Sequence, residues 1–318
     1  MKEFLSSSTN ATASLGDCSG KFELFLLCEW CLSSSKCDTL GSGCTNNNTV
    51  GYAYDCPRPV PVGFEYTDDF ARKKVLPLIG ATNGENDDQI QACLTNNIPS
   101  ATLYKSYTVK CDGDDAYCFA YLAVSPTDKA IIIAFRGTQG ALQLASEGGD
   151  LLFNKIVTFP QVGGKVDKYF DDAYNTLWDT GDMKTGIQSL KLQYTDYELW
   201  LFKPEKVKVV TFGEPRTGNQ DFAKAHDSYL NYTYRIVHNK DSVPHLPLKI
   251  EDILDPPVHH RFEIWYPNDM SPGSSYQVCL RADDDSCSGS IPVQDQTPDD
   301  HNNYFAVDIP NWYKTGCK

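Results

Sequence analysis

The chain has no long apolar run. Its first residues, Met1-Lys-Glu-Phe-Leu-Ser-Ser-Ser, contain no stretch of signal-peptide length. Residues Phe22 to Leu27 are apolar but broken by Glu23 and too short to span a bilayer, so no transmembrane segment is expected. Positive charge is scarce as well: 28 Lys and Arg against 42 Asp and Glu leave a net charge of −14. Nucleic-acid affinity depends on cations that neutralise phosphates, so no nucleic-acid partner is expected. Solubility is enough to account for the acidity. Internal repeats are missing. Also missing is the second Cys-x-x-Cys or His pair that would make Cys28-Glu-Trp-Cys31 half of a zinc site. No metal and no cofactor is implied.

Cysteine, by contrast, is abundant and even in number. Of twelve, six (Cys18, Cys28, Cys31, Cys37, Cys44 and Cys56) crowd the first sixth of the chain among Ser, Asn, Thr and Gly. Such a stretch buries little apolar surface and needs cross-links to hold a shape. Residues 1–61 therefore read as a disulfide-stapled, loop-rich module ending in Pro57-Arg-Pro-Val-Pro61. Residues 62–318, with most of the chain's aromatic residues, read as one large domain. Three sequons make Asn10, Asn47 and Asn231 glycosylation candidates. Cysteines and sequons together suggest a secreted, extracellular protein whose signal is removed or omitted from this version; the alternative is cysteines that stay reduced.

From Tyr66 a helical pattern begins, with Thr67 and Asp68 as capping candidates and Phe70, Ala71, Val75 and Leu78 on one side. Cys93 falls near the end of a second short helix. Tyr104 to Val124 reads as two strands around the Asp-Gly turn of Cys111-Asp-Gly-Asp-Asp-Ala-Tyr-Cys118, which a Cys111–Cys118 bridge could close. Ala130 to Phe135 is continuously apolar, as in a strand buried on both faces. Two helical patterns follow, from Tyr169 to Leu177 and from Met183 to Tyr194. Tyr197–Leu201, Lys206–Phe212 and Tyr234–Val237 are further strand candidates. Strands alternating with helices predict an α/β fold, a mostly parallel sheet covered on both faces.

Four blocks carry a more specific signal: Phe135-Arg-Gly-Thr138, Phe212-Gly-Glu-Pro-Arg-Thr-Gly-Asn219, His238-Asn-Lys-Asp-Ser-Val-Pro-His-Leu-Pro247 and Asp300-His-Asn-Asn-Tyr-Phe305. In this order they resemble the fungal-type (class 3) lipases, serine hydrolases of the α/β-hydrolase fold. The resemblance runs from about Val62 to the C-terminus. It implies a carboxylic ester hydrolase of lipid metabolism, with a lipid ester or lipid surface as partner; protein partners stay unknown. Asp241 falls on the family's catalytic aspartate and His301 on its histidine. Taken singly, Asp241 also reads as a turn residue before Ser-Val-Pro, and His301 as an exposed histidine of a polar loop. His238, His245, His259 and His260 read as packing or surface histidines. Thr138 falls on the first oxyanion donor, and residues 139–150 on the lid, with Leu142, Leu144 and Ala145 as its apolar face. Cys279 and Cys287 bracket a segment like the bridged loop before the family's histidine. A Cys93–Cys317 staple follows from the same comparison.

One part of that pattern is gone. These lipases carry Gly-x-Ser-x-Gly, the strained turn that exposes the nucleophile, and this chain contains none. In the family, the segment resembling Tyr197-Glu-Leu-Trp200 runs into the elbow, then a helix, then the strand resembling Val207–Phe212. Here Leu201-Phe-Lys-Pro-Glu-Lys206 bridges directly, leaving out about 25 residues of strand end, elbow and helix. Parallel neighbours need a crossover of roughly a dozen residues. Tyr197–Leu201 and Lys206–Phe212 must therefore form a hairpin, fuse into one bent strand, or lose one member from the sheet. Ser146, Ser189 and Ser242 lie on no strand-to-helix elbow and are not expected to replace the nucleophile. The sequence thus predicts an inactive relative: an altered transcript or gene model of an active lipase. The alternatives are a lipid-binding or regulatory pseudoenzyme and an extracellular interaction protein.

Overall fold

The structure, a computed structural model, describes residues 28–31, 36–39, 49–50, 53–112, 116–137, 155–197, 206–248 and 255–318, the first three by backbone alone. Thr138, the expected lid 139–150, Ser146, the junction 198–205, Asn10 and Asn47 lie outside them. In the N-terminal part, the backbones of Cys28–Cys31 (β1), Lys36–Thr39 (β2) and Thr49–Val50 (β3) pair as an antiparallel sheet, order β2-β1-β3.

The next three strands, Thr102–Asp112 (β4), Ala116–Ser125 (β5) and Ala130–Phe135 (β6), form an antiparallel meander. Further along come Ile156–Thr158 (β7), Lys165–Asp167 (β8), Lys208–Phe212 (β9), Gly218–Asn219 (β10), Tyr232–His238 (β11), Pro257–Val258 (β12), Glu263–Tyr266 (β13) and Gln277–Cys279 (β14). Strands β9, β11 and β13 pair in parallel, and β14 adds antiparallel, in the order β14-β13-β11-β9. The four short strands β12-β10-β8-β7 make a small antiparallel sheet.

Period-2 alternation explains how the meander is covered. Phe119, Tyr121 and Ala123 of β5 point to one face, where they meet Ile90, Cys93 and Leu94 of helix Asp87–Asn97. Ala120, Leu122 and Val124 point to the other, against Leu177 and against Met183, Ile187 and Leu190 of helix Met183–Gln193. The parallel sheet packs Tyr234, Ile236, Ile264 and Tyr266 against Ala71, Leu76 and Ile309. Thr67 caps the first helix at Phe70 N, and that helix runs on through a π turn, Ala71–Val75, into Leu76–Ala81. This last segment serves both cores: Ile79 packs on the parallel sheet, Leu78 on the meander, and Trp312 on both.

Among the described residues the strands expected in one sheet lie in separate sheets, the meander and the parallel one. Among the described residues no strand joins β6 to β9, and each is the edge of its own sheet. Burial follows from this. Strand β11, flanked on both sides, is buried at all seven positions. Strand β6 was expected to be buried on both faces, yet it is only partly covered and leaves Phe135 47% exposed. Strand β9 is buried nowhere along its length. An apolar run suited to a sheet interior has been left at an open edge. Tyr197 lies in a bend, not a strand; the rest of the Tyr197–Leu201 candidate is outside the described residues.

Asp167 caps helix Lys168–Asn175 through Oδ1, which accepts from Tyr169 N at 2.8 Å. Its Oδ2 is buried without a partner. Burial, aided by Asp172, raises its pKa from the ordinary 3.8 to about 6. A carboxyl with a folded-state pKa above its unfolded value favours folding most in its protonated form. That contribution is full below about pH 3.8 and is lost as pH rises through 6. Asp167→Asn keeps the capping oxygen and removes the charge. We expect a higher Tm than the parent at pH 7.5 and no difference at pH 3.5, followed by circular dichroism; a gain independent of pH would contradict this.

Candidate active site

The site forms where β9 and β11 end at their carboxyl edges, the usual place for ligands in α/β sheets. After β11, Asn239 takes a left-handed conformation (φ 40°), and Asp241 N donates to His238 O at 2.9 Å. Asp241 closes the turn with its own side chain, Oδ1 accepting from Val243 N at 2.9 Å, an Asx turn. Its carboxylate is fully buried. Oδ2 accepts from His301 Nδ1 at 2.9 Å and from the Tyr304 hydroxyl at 2.6 Å. One oxygen shapes the turn and the other serves the histidine.

His301 sits in the 3-10 turn Asp299–Asn302, and that loop is fastened to the aspartate turn strand-fashion. Thr297 N donates to Lys240 O at 2.8 Å and Ser242 N to Thr297 O at 3.1 Å. Asp300 Oδ2 accepts from Asn239 Nδ2 and Lys240 N, both at 3.0 Å, and its carbonyl accepts from His238 Nδ1 at 3.0 Å. The two halves of the dyad therefore move together.

An ionised carboxylate only accepts, so the bond to Asp241 fixes the proton on His301 Nδ1 and leaves Nε2 as the acceptor. This is the tautomer of a general base. The His301 side chain is 20% exposed, so the ring reaches solvent. Burial first, then the Asp241 charge, hold the Tyr304 phenol well above its ordinary pKa, so it stays a donor. Among the described residues the His301 ring hydrogen-bonds to Asp241 alone. Ser189 lies on helix Met183–Gln193, and Ser242 Oγ is buried without a partner. Neither reaches the ring.

The remaining histidines pack. His238, His245, His259 and His260 are all buried, and burial lowers His245 to about 4. A cavity of about 280 Å³ lies behind the aspartate turn, lined by Arg216, His245, His259 and Asp283, but by neither Asp241 nor His301. Arg216 holds that turn from below, donating to the carbonyls of His245 and Pro247 and pairing with Asp283 at 2.9 Å. Disulfides join Cys93 to Cys317, Cys111 to Cys118 and Cys279 to Cys287. Asn231, before β11, is half-buried.

In sequence the Phe212–Asn219 block reads as structural: a strand end, a Gly turn, a fixed Pro and a cap before Phe222. Asn219 does cap helix Gln220–Tyr229, but Gly213 does more than turn the chain. It has φ +60°, and a Cβ there would fall 2.4 Å from His301 Nδ1 and 2.8 Å from Asp241 Oδ2. The dyad rests on bare backbone. Gly213→Ala is expected to break the Nδ1–Asp241 bond and to lower Tm by several degrees, since the φ strain alone costs about 1 kcal/mol. Loss of the downfield His301 N–H proton resonance reports the broken bond. A variant that keeps both the resonance and the Tm would show that the turn yields freely.

Comparisons with known proteins bear on the family and the fold. The family described as Lipase (class 3) matches residues 132–202 and 201–251. A lipase of Caenorhabditis elegans is 31% identical over 290 aligned positions, covering 76% of this chain and 77% of that protein. A Rhizopus niveus lipase is 29% identical over 209 positions, covering 59% of this chain and 50% of that one. The solved structure of Rhizomucor miehei triacylglyceride lipase superposes with a TM-score of 0.62 at 22% identity, over 77% of this chain and 97% of that one. The chain belongs to the class 3 lipase family and has its α/β-hydrolase fold.

Proposed function

We propose that this chain is a catalytically silent form of a secreted triacylglycerol lipase-type ester hydrolase, keeping the base and its orienting acid without the serine. The carrying observation is the contrast between an intact dyad and an opened sheet. Asp241, His301 and Tyr304 retain a fully bonded geometry, while β6 and β9 are edges among the described strands. Gradual decay after loss of activity would be expected to loosen the dyad as well. Removal of one contiguous unit accounts for both.

Two further facts support the reading. The family match breaks into two stretches that meet at residues 201–202, the junction where the elbow is absent. Three disulfides favour an oxidising compartment. Thr138 would serve as oxyanion donor and Asn231 as a glycosylation site in this reading. No helix among the described residues is long and apolar enough to cross a membrane.

The test is fatty-acid release from emulsified triglyceride by the purified chain, with no release above buffer expected. Turnover that disappears in His301→Ala would overturn the reading. Sequencing transcripts across the codons for Trp200 to Lys206 should also reveal a longer form encoding the elbow.

A further inference from the structure

A second cluster of chemistry-bearing side chains lies outside the dyad. Helix Gln220–Tyr229 brings His226 and Asp227 near its C-terminus, the segment before β13 brings His260, and the turn after β9 brings Glu214. The His226 and His260 rings stack with centroids 3.8 Å apart and planes at 27°. One ligand atom each from His226, Asp227 and His260 lies within 4.8 Å of the others. His226 Nδ1 is buried with no hydrogen-bond partner, 3.7 Å from Asp227 Oδ1. His260 Nε2 stands 3.2 Å from both Glu214 oxygens.

We propose that His226, Asp227 and His260 form a binding site for a divalent transition metal of the zinc class, with Glu214 beside His260. Two ligands at about 2.0–2.1 Å on a tetrahedral ion stand roughly 3.4 Å apart. The 3.7 Å separation of His226 Nδ1 from Asp227 Oδ1 is close to that edge. The 3.7 Å separation is also too long for a hydrogen bond, which leaves Nδ1 unsatisfied unless an ion fills the space.

Supporting contacts are of the kind that ligating side chains have. His260 Nδ1 donates to Arg261 O at 2.7 Å, and Nε2, which donates to the Glu214 carboxylate, is the nitrogen that would exchange its proton for the ion. Glu214 is oriented by the hydroxyls of Thr211 at 2.6 Å and Thr217 at 3.2 Å. Asp227 accepts from the Tyr54 hydroxyl at 3.0 Å and from Arg261 N at 3.1 Å. Two imidazoles and one carboxylate match a borderline dication in donor type. The Arg261 guanidinium, 3.4 Å from Asp227 Oδ2, opposes the ion and limits its affinity. Glu214 adjoins Gly213, so the ion would clamp the turn on which the dyad rests.

The experiment takes the full chain, dialysed against chelator, and titrates it with Zn2+ by calorimetry and with Co2+ by visible absorption. Expected are a saturable event displaced at least tenfold in affinity by His226→Gln, cobalt bands of a tetrahedral nitrogen–oxygen shell, and a Tm that rises with Zn2+ concentration. The His226 side chain is 16% exposed, and an unchanged metal-free Tm of His226→Gln shows that its replacement leaves the fold in place. His301→Gln serves as a control and should leave binding unchanged. No uptake by the parent, or uptake equal in parent and His226→Gln, would overturn the proposal. Uptake lost in His301→Gln but kept in His226→Gln would also overturn it, placing the ion on the dyad.

Discussion

On the proposed reading, grafting a class 3 strand–elbow–helix unit after Trp200 should raise fatty-acid release by this chain by on the order of a millionfold. The expectation rests on how little else has to be built. Ester hydrolysis by serine needs the hydroxyl, a base, an orienter and oxyanion donors, and these act as one unit. Base and orienter already stand at 2.9 Å with the correct tautomer fixed. The graft supplies the hydroxyl and, in the N–H that follows the serine, the second oxyanion donor.

It also supplies a strand. Strands β6 and β9 are both edges, so one inserted strand can pair with each and join the two sheets. The grafted chain should accordingly melt higher than the parent and aggregate less. Controls are the same graft with its serine changed to Ala, and the graft combined with His301→Ala; each should return release to the parent level. A graft that raises Tm, keeps the His301 N–H resonance and still releases nothing would show that more than this unit is missing.

What the sequence made legible follows from the reach of each signal. Asp241 and His301 stand in ordered blocks whose spacing is local, and the structure brings them together across 60 residues of chain. The turn at Gly213 was also legible, since a glycine between a strand and Glu-Pro suggests an unusual φ. Its second duty was not, because what lies above a glycine is set by tertiary contact. Tyr304 was hidden for the same reason: an aromatic residue in Asn-Asn-Tyr-Phe reads as packing, while its hydroxyl finds Asp241 only in the fold. The error over β6 has a different source. Ala-Ile-Ile-Ile-Ala-Phe carries the composition of an interior strand, and only knowledge of its neighbours says that one side is open.

Because no ladder among the described residues joins the two main sheets, a covalent tie between distant parts of the chain matters more than usual. The Cys93–Cys317 bridge closes a loop of 224 residues that contains both sheets. It pins helix Asp87–Asn97 to the C-terminus, where Asn96 Nδ2 donates to Gly316 O at 2.7 Å and Asn97 Nδ2 to Cys317 O at 2.9 Å. In the chain-entropy account, a loop of this length stabilises by about 5 kcal/mol. The Cys111–Cys118 and Cys279–Cys287 bridges close only seven- and eight-residue separations, and each is worth roughly 3 kcal/mol less. The double variant Cys93→Ala, Cys317→Ala should therefore lower Tm by about 10 °C. The corresponding short-loop variants should lose less than half of that. Cys279–Cys287 is as buried as Cys93–Cys317, while Cys111–Cys118 is half-buried, so the comparison of the first two isolates the loop. Equal losses across the three pairs would show that packing around each sulfur decides the effect, and that the two sheets hold together without the tie.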